Sequence, residues 1–567
     1  MIRRFLILLS VLFSLAPGVY SQYTVNDARL RNIIDQYGQA EVTIPFSNNI
    51  SLDFITRNVS ILSVKDKIVH ISLSPLTVDW FIQQKFDYQI VKIIDIKSVI
   101  STRNLNLSSA WDKYPTYPQY DSIMQSFKTL YPNLCRLDTI GKSVNGRLIL
   151  ALKISVNPAT DGDKPAVFYT STMHGNETGG FMLMLHLADY ILKNYNLSPR
   201  VKDLVDSLDI WINPLANPDG TYKAGNIISL SSTRYNANGY DLNRNFPDPL
   251  DASIVPQKET VDMIKFLRKH RFVISANFHS GSEVVNYPWD RWLSKIHADD
   301  SWFNNISRAY ADTAHVYSGP AYMSDLDNGV TRGAVWYTVI GGRQDFVTWE
   351  LQGREVTIEL DNQYITPEAQ LTLLWQNNWR SLLGYLENAK YGIHGLVRNA
   401  NTFAPVPAMV FIQGHDKDSS QVFADTITGN FVRLLYPGSW DLTFTAIGYN
   451  TQTRYNITVA PGEETPLVVD MVPAVNSIET PKPGTAALYP NPARTEIKAI
   501  LSDALIGTVN LKIVNLTGVI VMDYNVEVSK GIPLLIDLKS LPEGIYTLIC
   551  RNIVTTGTSR NRFIVIK

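Results

Sequence analysis

Three residues in this 567-residue sequence have the types and positions needed to bind a metal ion. His174 and Glu177 follow the apolar segment KPAVFYTST, and His279 closes a second apolar segment, FVISANFH. Side chains at the carboxyl edge of a parallel sheet point into a crevice, where distant parts of the chain meet. A catalytic zinc ion typically has three protein ligands and an open position for water. The pattern predicts a zinc site, whereas an isolated His-x-x-Glu pattern also fits an ordinary turn.

Alternating strands and helices in residues 111–390 predict the fold that positions these side chains. Apolar, strand-like runs alternate with helical stretches such as GGFMLMLHLADYILKNY and TVDMIKFLRKH. Apolar strands interleaved with helices indicate a parallel or mixed sheet that is covered on both faces. The predicted fold class is therefore α/β for this segment.

The flanking segments predict several further parts of the chain. Residues 1–21 combine two arginines, the apolar run FLILLSVLFSLA and small residues, which is typical of a secretory signal peptide. Residues 22–105 have the patterns of a small α/β domain. Residues 391–473 and 486–567 contain short strand runs between Gly, Pro, Asn and Asp, which indicates two all-β domains joined by a linker at 474–485.

Composition excludes several classes of function. The net charge of −1 gives no electrostatic basis for binding nucleic acid. After the signal peptide, no run approaches 18 consecutive apolar residues, so we expect no transmembrane segment in the mature form. Cys135 and Cys550 fall in different predicted domains, which argues against a disulfide framework. Function is therefore expected to reside in a local site.

Six ordered motifs within residues 111–390 resemble those of zinc metallocarboxypeptidases, and of the regulatory N/E-type branch more than the digestive branch. They are HGNET, NPLANPDG, RYNANGYDLNRNFPD, NFHSGSEVVNYPWD, WYTVIGGRQDF and VTIEL. The resemblance implies a carboxypeptidase-like mixed sheet of the eight-stranded type and one catalytic Zn²⁺ bound by His174, Glu177 and His279. It also implies that Asp241 holds the first histidine, which would fix its tautomer. The substrate would be the C-terminus of a peptide or protein.

The same resemblance implies roles for other polar residues. Glu359 matches the general base, and Arg234 matches the arginine that stabilises the oxyanion. Asn243 and Arg244 match the pair that binds the terminal carboxylate, for which a guanidinium fork is well suited. Tyr337 matches the tyrosine that closes over the substrate. Glu355 lies four residues before Glu359 on the same strand face and is the rival candidate for the base.

One acidic residue determines the predicted specificity. Asp290 in NYPWD falls where members specific for basic residues carry an aspartate, and Gln344 matches a polar residue of the same branch. A buried carboxylate would select a C-terminal Lys or Arg. The alternative is that Asp290 is an ordinary turn residue. Arg343 departs from the family, which usually has an apolar residue there, and would weaken the basic preference if it faced the pocket.

The flanking domains also resemble known types. Residues 391–473 resemble a transthyretin-like domain, and residues 486–567 resemble the C-terminal sorting domain of type IX secretion in Bacteroidetes-type bacteria. This implies a secretion machinery as partner and a secreted or cell-surface location. Residues 22–105 occupy the place of the activation domain in digestive relatives, and we expect them to inhibit the enzyme or to assist folding.

Two other functions are consistent with the same sequence. A peptidoglycan-stem peptidase on the same fold would trim diamino-acid peptides and ignore an ordinary C-terminal arginine. A catalytically silent protein that binds peptides at the cell surface would lack a metal ligand or the base. All three candidate ligands and Glu359 are present, which favours the enzyme.

Overall fold

The computed structural model of the protein describes residues 25–46, 51–91, 111–162, 164–474, 486–529, 532–555 and 557–567. The chain divides into two compact units, one running to Ile447 and including Thr451–Met471, and the other comprising Gly448–Asn450 and Val472–Lys567. The predicted signal peptide and nearly all of the predicted linker lie outside the described residues. Within the described ranges, no helix is both long enough and apolar enough to cross a membrane.

A small α/β domain begins the first unit. Its elements are α1 (Val25–Tyr37), β1 (Ala40–Pro45), α2 (Leu52–Thr56), β2 (Ser60–Lys65), β3 (Ile68–Leu73), α3 (Val78–Gln83) and β4 (Gln89–Ile90). The strands pair antiparallel in the order β2-β3-β1-β4. Alternate residues of β1, among them Val42 and Ile44, pack into one apolar core with Leu30 of α1. This domain agrees with the predicted α/β character.

A mixed α/β domain follows. Its helices are α4 (Tyr117–Leu130), α5 (Gly179–Asn194), α6 (Pro199–Ser207), α7 (Pro218–Thr221), α8 (Lys258–His270), α9 (Asp300–Ser318), α10 (Asp325–Asn328), α11 (Gly333–Trp336), α12 (Arg343–Glu350) and α13 (Glu368–Glu387). Its strands are β5 (Cys135–Lys142), β6 (Leu148–Ile154), β7 (Ala166–Ser171), β8 (Asp209–Asn213), β9 (Ile274–His279), β10 (Ser282–Tyr287), β11 (Val330–Arg332) and β12 (Arg354–Asp361).

These eight strands, counted over the described residues, form one sheet in the order β11-β10-β12-β9-β7-β8-β6-β5. Strands β12, β9, β7 and β8 run parallel, and antiparallel pairs flank them. The central strands β8 and β9 are buried along their whole length, as expected for strands covered on both faces. The predicted mixed sheet covered by helices is confirmed.

The register of the parallel strands determines where the site lies. His279 at the end of β9 pairs with Glu359 near the end of β12, and Ser171 at the end of β7 pairs with Phe278. Helix α5 can begin close to this edge because Gly180 has no side chain. A Cβ at this position would lie 2.2 Å from the Ser171 hydroxyl. The carboxyl ends of three strands therefore meet beside the His174–Glu177 turn.

Two all-β regions complete the chain. Strands β13 (Gly392–Asn399), β14 (Met409–Ile412), β15 (Val422–Phe423), β16 (Asn430–Arg433), β17 (Gly438–Thr445), β18 (Gln452–Val459) and β19 (Glu464–Met471) form the sheets β16-β13-β19 and β15-β14-β17-β18. Strands β20 (Ala486–Tyr489), β21 (Glu496–Leu501), β22 (Gly507–Asn515), β23 (Ile520–Val528), β24 (Leu534–Asp537), β25 (Gly544–Asn552) and β26 (Thr558–Val565) form the sheets β20-β21-β24 and β23-β22-β25-β26. The predicted all-β character of the C-terminal part of the chain is confirmed.

A buried ionic cluster joins the mixed α/β domain to the first β-sandwich. Asp299 lies next to Arg354 (2.6 Å), Arg433 (2.8 Å) and His415 (2.8 Å), and the last two belong to the sandwich. Burial would raise the pKa of Asp299, but Arg433, Arg354 and His415 together hold it well below its usual range. The carboxylate is thus the shared partner of cations from both domains.

Replacing Asp299 with alanine is expected to lower the free energy of unfolding by about 3–5 kcal/mol, because the buried Arg354 would lose its carboxylate partner. Arg433 would keep only its second carboxylate, Asp416. Urea unfolding of the full chain measures the change. Asp312→Ala on helix α9, which begins directly after Asp299, is the control, since the Asp312 side chain is 59% exposed. Equal losses in the two variants would contradict a structural role for the cluster.

Candidate active site

The three predicted metal ligands converge at the edge of the sheet. His174 Nδ1 lies 2.8 Å from Glu177 Oε1, His279 Nδ1 lies 2.7 Å from Glu177 Oε2, and the two Nδ1 atoms are 2.9 Å apart. One ligand atom from each residue lies within 4.8 Å of the others, and all three residues are buried. This is the only such group of three or more acidic, His or Cys side chains found across the described residues.

The outer nitrogens of both rings determine which atoms face the centre. His174 Nε2 lies 3.0 Å from Asp241 Oδ1, so a proton on Nε2 leaves the Nδ1 lone pair facing Glu177 and His279. His279 Nε2 lies 2.8 Å from Asn277 Nδ2, and Asn277 Oδ1 has no partner in the described chain. Rotating this amide by 180° places Oδ1 where it accepts a proton from Nε2, and the Nδ1 lone pair of His279 then faces the centre. Burial lowers the pKa of His279 to about 4, which favours the neutral ring. Two imidazole lone pairs and a carboxylate therefore converge, which is a donor set suited to Zn²⁺.

Asp241 and Arg234 form a second layer behind the ligands. Arg234 donates from Nε to Asp241 Oδ2 at 2.8 Å and from Nη1 to Glu177 Oε1 at 3.1 Å. Burial opposes both charges, but Arg234 and His174 hold the pKa of Asp241 well below its usual range. Likewise, Asp241 and Glu177 raise the pKa of Arg234 despite its burial. Arg234 and Asp241 thus orient two of the three candidate ligands.

Glu359 and Glu355 occupy different environments on β12. Glu359 lines the cavity beside the metal ligands, and its Oε2 has no hydrogen-bond partner in the described ranges. Burial, together with the nearby charge of Glu177, raises the pKa of Glu359 well above its usual range. Glu355 instead accepts hydrogen bonds from Ser275 (2.7 Å) and Arg343 (3.0 Å). The geometry therefore favours Glu359 over its rival as the predicted base.

The residues predicted to bind a terminal carboxylate line the same cavity. The Asn243 side-chain oxygen accepts a hydrogen bond from the backbone N–H of Arg343 at 3.0 Å, so its amide N–H₂ remains for another partner. Arg244 Nε has no partner among the residues that the structure describes. Tyr337 lies at the cavity wall, and burial raises the pKa of its hydroxyl to about 12. Donors from all three residues can thus face a ligand.

Asp290 is a pocket residue rather than an exposed turn residue. It is 4% exposed, and its Oδ1 accepts a hydrogen bond from Asn286 Nδ2 at 3.0 Å. A Cβ on Gly333 would lie 1.7 Å from Asp290 Oδ1 and 2.8 Å from Asn286 Oδ1, so only glycine leaves room for both oxygens at this position. The buried Oδ1 of Asn286 and both amide atoms of Gln344 have no hydrogen-bond partner within the described part of the chain. The two amide oxygens, Asn286 Oδ1 and Gln344 Oε1, are acceptors that suit a cationic ligand with several donors.

Arg343 does not face this pocket. Its side chain is fully buried, pairs with Glu355 at 3.0 Å and lies over the ring of Phe168 at 5.1 Å. The repulsion considered from the sequence is therefore absent. Three features of this region were not predicted: Asn286, Gly333 and the pairing of Arg343 with Glu355. Asn286 lies within the motif NFHSGSEVVNYPWD, four residues before Asp290.

The first domain reaches the same site through contacts that no sequence motif indicated. Ser60 donates a hydrogen bond to Asp241 Oδ2 at 2.6 Å, and the carbonyl of Ile61 accepts one from Arg244 Nη2 at 3.2 Å. Leu62 lines the cavity, whose volume is about 40 Å³. The candidate active site is thus built from the mixed α/β domain and bordered by strand β2.

Comparison with known proteins agrees with this geometry. The family described as zinc carboxypeptidase matches residues 120–381, and a secretion system C-terminal sorting domain matches residues 487–567. The structure of carboxypeptidase A from Helicoverpa armigera aligns with a TM-score of 0.50 at 19% identity, covering 61% of this chain and 96% of that one. That alignment shows a shared fold.

Sequence relatives include mouse carboxypeptidase M, which is 32% identical over 61% of this chain and 80% of its own length. The human carboxypeptidase N catalytic chain is 33% identical over 61% of this chain and 84% of its own length. Human carboxypeptidase D is 35% identical over 60% of this chain, and the match spans only 26% of that longer protein. The chain belongs to the zinc carboxypeptidase family.

Zinc content tests the ligand assignment directly. His279→Ala is expected to abolish binding of one Zn²⁺ per chain, and Asp241→Ala to weaken it by about 10–100-fold, because Asp241 orients a ligand without touching the ion. Metal analysis and competition with a chelator measure both effects. His315→Ala on α9 is the control; a comparable zinc loss in this variant would contradict the assignment.

Proposed function

We propose that this chain is a secreted zinc carboxypeptidase that hydrolyses the C-terminal peptide bond and prefers a C-terminal Lys or Arg. The observation that carries the proposal is the convergence, in one buried site, of the His174–Glu177–His279 donor set with Glu359, whose Oε2 has no hydrogen-bond partner among the described residues. Guanidinium groups for an oxyanion and a terminal carboxylate lie beside them. The family membership and the carboxypeptidase relatives support the same reaction class.

Each residue has a task in this reaction. His174, Glu177 and His279 hold the ion, which when bound polarises a carbonyl and lowers the pKa of a water molecule. Glu359 accepts the proton of the attacking water and returns it to the leaving amine, a role that its raised pKa suits. Arg234 lies where negative charge develops on the substrate oxygen.

Substrate binding uses the other side of the cavity. Arg244 and Asn243 bind the terminal carboxylate, which restricts the enzyme to the last residue of a chain. Tyr337 covers the bound residue and excludes water. Asp290 pairs with the substrate's terminal basic group, while Asn286 and Gln344 supply the additional acceptors that a guanidinium or ammonium requires.

The flanking domains support export and a regulatory-type architecture. The relatives named carboxypeptidase D, M and N support the N/E-type branch, and the first β-sandwich then takes the position of a transthyretin-like domain. The C-terminal sorting domain supports passage through a type IX secretion machinery to the cell surface or the medium. The signal peptide at residues 1–21 remains a prediction.

Residue release from matched peptides tests the proposed activity. Peptides that end in Arg, Lys, Phe or Glu are incubated with the protein, with and without a chelator. We expect chelator-sensitive release of Arg or Lys. Release of Phe alone would contradict the role of Asp290, and cleavage of diamino-acid peptides alone would support a cell-wall peptidase instead.

Glu359→Gln is expected to lower kcat by about 10²–10⁴-fold, because the amide cannot accept the proton of the attacking water. Zinc content should stay at the level of the unsubstituted protein, since Glu359 is not a ligand. Steady-state kinetics and metal analysis measure these two quantities. Glu350→Gln, on the neighbouring helix α12, is the control, and similar kinetics in both variants would exclude Glu359 as the base.

Selectivity for basic residues is expected to depend on pH. Burial raises the pKa of Asp290 to about 6, so its carboxylate is protonated below this pH and cannot pair with a cation. The ratio of kcat/KM for an Arg-ended peptide to that for a Phe-ended peptide should therefore rise as pH increases through about 6. Using the ratio cancels the titration of Glu359, which affects both peptides equally.

Asp290→Asn serves as the control for this titration. It should lower the ratio at neutral pH by about 30-fold or more, since a buried charge pair loses one partner. The ratio should also become independent of pH. A pH-dependent ratio in Asp290→Asn would assign the titration to another group.

A further inference from the structure

The turn that carries Asp290 is bound by a second buried carboxyl group. Asp345, in the first turn of α12, accepts a hydrogen bond from the Asp290 N–H on Oδ1 at 3.0 Å and from the Arg291 N–H on Oδ2 at 2.8 Å. The Asp345 side chain is buried, and it does not line the cavity that Asp290 lines. Each oxygen of Asp345 therefore has a backbone partner.

The carbonyl groups of the same turn are bound by a different segment. The Trp289 carbonyl accepts from the Ala334 N–H at 2.9 Å, and the Asp290 carbonyl accepts from the Val339 N–H at 3.0 Å. Both donors belong to the segment that contains Tyr337. Two carbonyl and two N–H groups of the turn are thus bound, so the backbone is fixed where the Asp290 side chain begins.

The surroundings of Asp345 are otherwise unfavourable for a carboxyl group. Burial and the nearby charges of Asp290 and Asp248 raise the pKa of Asp345 well above its usual range, while the N–H groups of Asp290 and Arg291 oppose the rise. A polar group taken out of water is tolerated when hydrogen bonds compensate it. The two bonds to the turn supply this compensation, which indicates that Asp345 serves to hold the turn.

Asp290 and Asp345 differ in what their oxygens can bind. Asp290 lines the cavity, and its Oδ1 accepts one side-chain hydrogen bond, from Asn286 at 3.0 Å. Asp345 has a backbone donor on each oxygen and lies away from the cavity. A substrate cation can therefore contact Asp290, whereas Asp345 acts on that cation only through Asp290.

The first turn of α12 holds two parts of the substrate site. The Arg343 N–H donates to Asn243 Oδ1 at 3.0 Å, and Asp345 binds the Asp290 turn. Groups assigned to the terminal carboxylate and to the terminal side chain are thus both bound by this one turn of helix. A displacement of about 1 Å in such a site can cost about 100-fold in rate, so these contacts matter for selectivity.

We propose that Asp345 is a positioning residue for substrate specificity. Its carboxyl group fixes the turn so that the Asp290 carboxylate meets the cationic side chain of a C-terminal Lys or Arg. The inference rests on the proposed function, because Asp290 receives its role there. Replacing Asp345 should change the selectivity between basic and apolar C-terminal residues, and only while position 290 carries a carboxylate.

Asp345→Asn in the full chain tests the proposal, because the amide keeps the size of the side chain but can accept only one of the two N–H groups. The ratio of kcat/KM for an Arg-ended peptide to that for a Phe-ended peptide should fall by about fivefold to tenfold, as for one lost hydrogen bond. Asp312→Asn, at a side chain that is 59% exposed, is the matched control and should keep the ratio of the unsubstituted protein.

A double variant shows whether Asp345 acts through Asp290. In the Asp290→Asn protein, adding Asp345→Asn should leave the ratio unchanged, because no carboxylate remains to be positioned. An equal fall of the ratio in both backgrounds would overturn the proposal.

Hydrogen exchange measures the contact itself. Exchange at the Arg291 amide should be faster by about fivefold or more in Asp345→Asn. The increase should exceed that at the amides of β8, which report unfolding of the whole domain. Exchange at Arg291 that rises no more than in β8 would overturn the proposal.

Binding of free L-arginine separates this inference from the proposed function, because calorimetric titration requires no hydrolysis. Asp345→Asn should weaken this binding by the same factor as the ratio falls. If no variant cleaves any peptide but Asp345→Asn binds L-arginine more weakly, the positioning role stands and the hydrolase fails. If all variants cleave with the same ratio, the hydrolase stands and the positioning role is overturned. If neither cleavage nor a difference in binding is observed, both fail.

Asp345→Glu covers the case in which Asp345→Asn does not fold, since it retains both acceptor oxygens. Its additional methylene group shifts the turn relative to the cavity, because the site is buried and closely packed. We expect the ratio to fall by at least about fivefold, with the zinc content of the unsubstituted protein. An unchanged ratio in folded Asp345→Glu, together with an unchanged affinity for L-arginine, would overturn the proposal.

Discussion

Charge balance in a buried site is the constraint on which the rest of the structure depends. Four carboxylates and two guanidinium groups line or border one small cavity: Glu177, Asp241, Asp290, Glu359, Arg234 and Arg244. Leaving ionised carboxylates uncompensated away from water costs several kcal/mol per group. A divalent cation between His174, Glu177 and His279 supplies the missing positive charge. The same ion gives the converging Nδ1 lone pairs a partner, so metal binding and local stability are coupled.

The carboxyl groups of the site differ in pKa because their charged neighbours differ. Arg234 is shared between Glu177 and Asp241. Despite burial, Arg234 and His174 lower the pKa of Asp241, whereas His174 and His279 lower that of Glu177. Glu359 makes no ion pair within the part of the chain that the structure describes, and burial together with the charge of Glu177 raises its pKa. Neighbouring carboxyl groups thus differ in proton affinity because of their surroundings, which lets ligand and base lie side by side. Glu355 pairs with Arg343, so these two buried charges compensate each other and do not add to the excess of carboxylates.

Much of the fold and site could be predicted because short motifs encode local arrangements. The apolar runs before His174 and at His279 predicted buried strands, and the sheet register brings their ends together. Strand β2 and helix α1 were not predicted, because SILSVK has little alternation and α1 has few apolar residues. The contacts of Ser60 and Ile61 with the site depend on how two domains pack, which no local pattern contains. Gly333 was missed for a related reason, since its importance lies in the space it leaves beside Asp290.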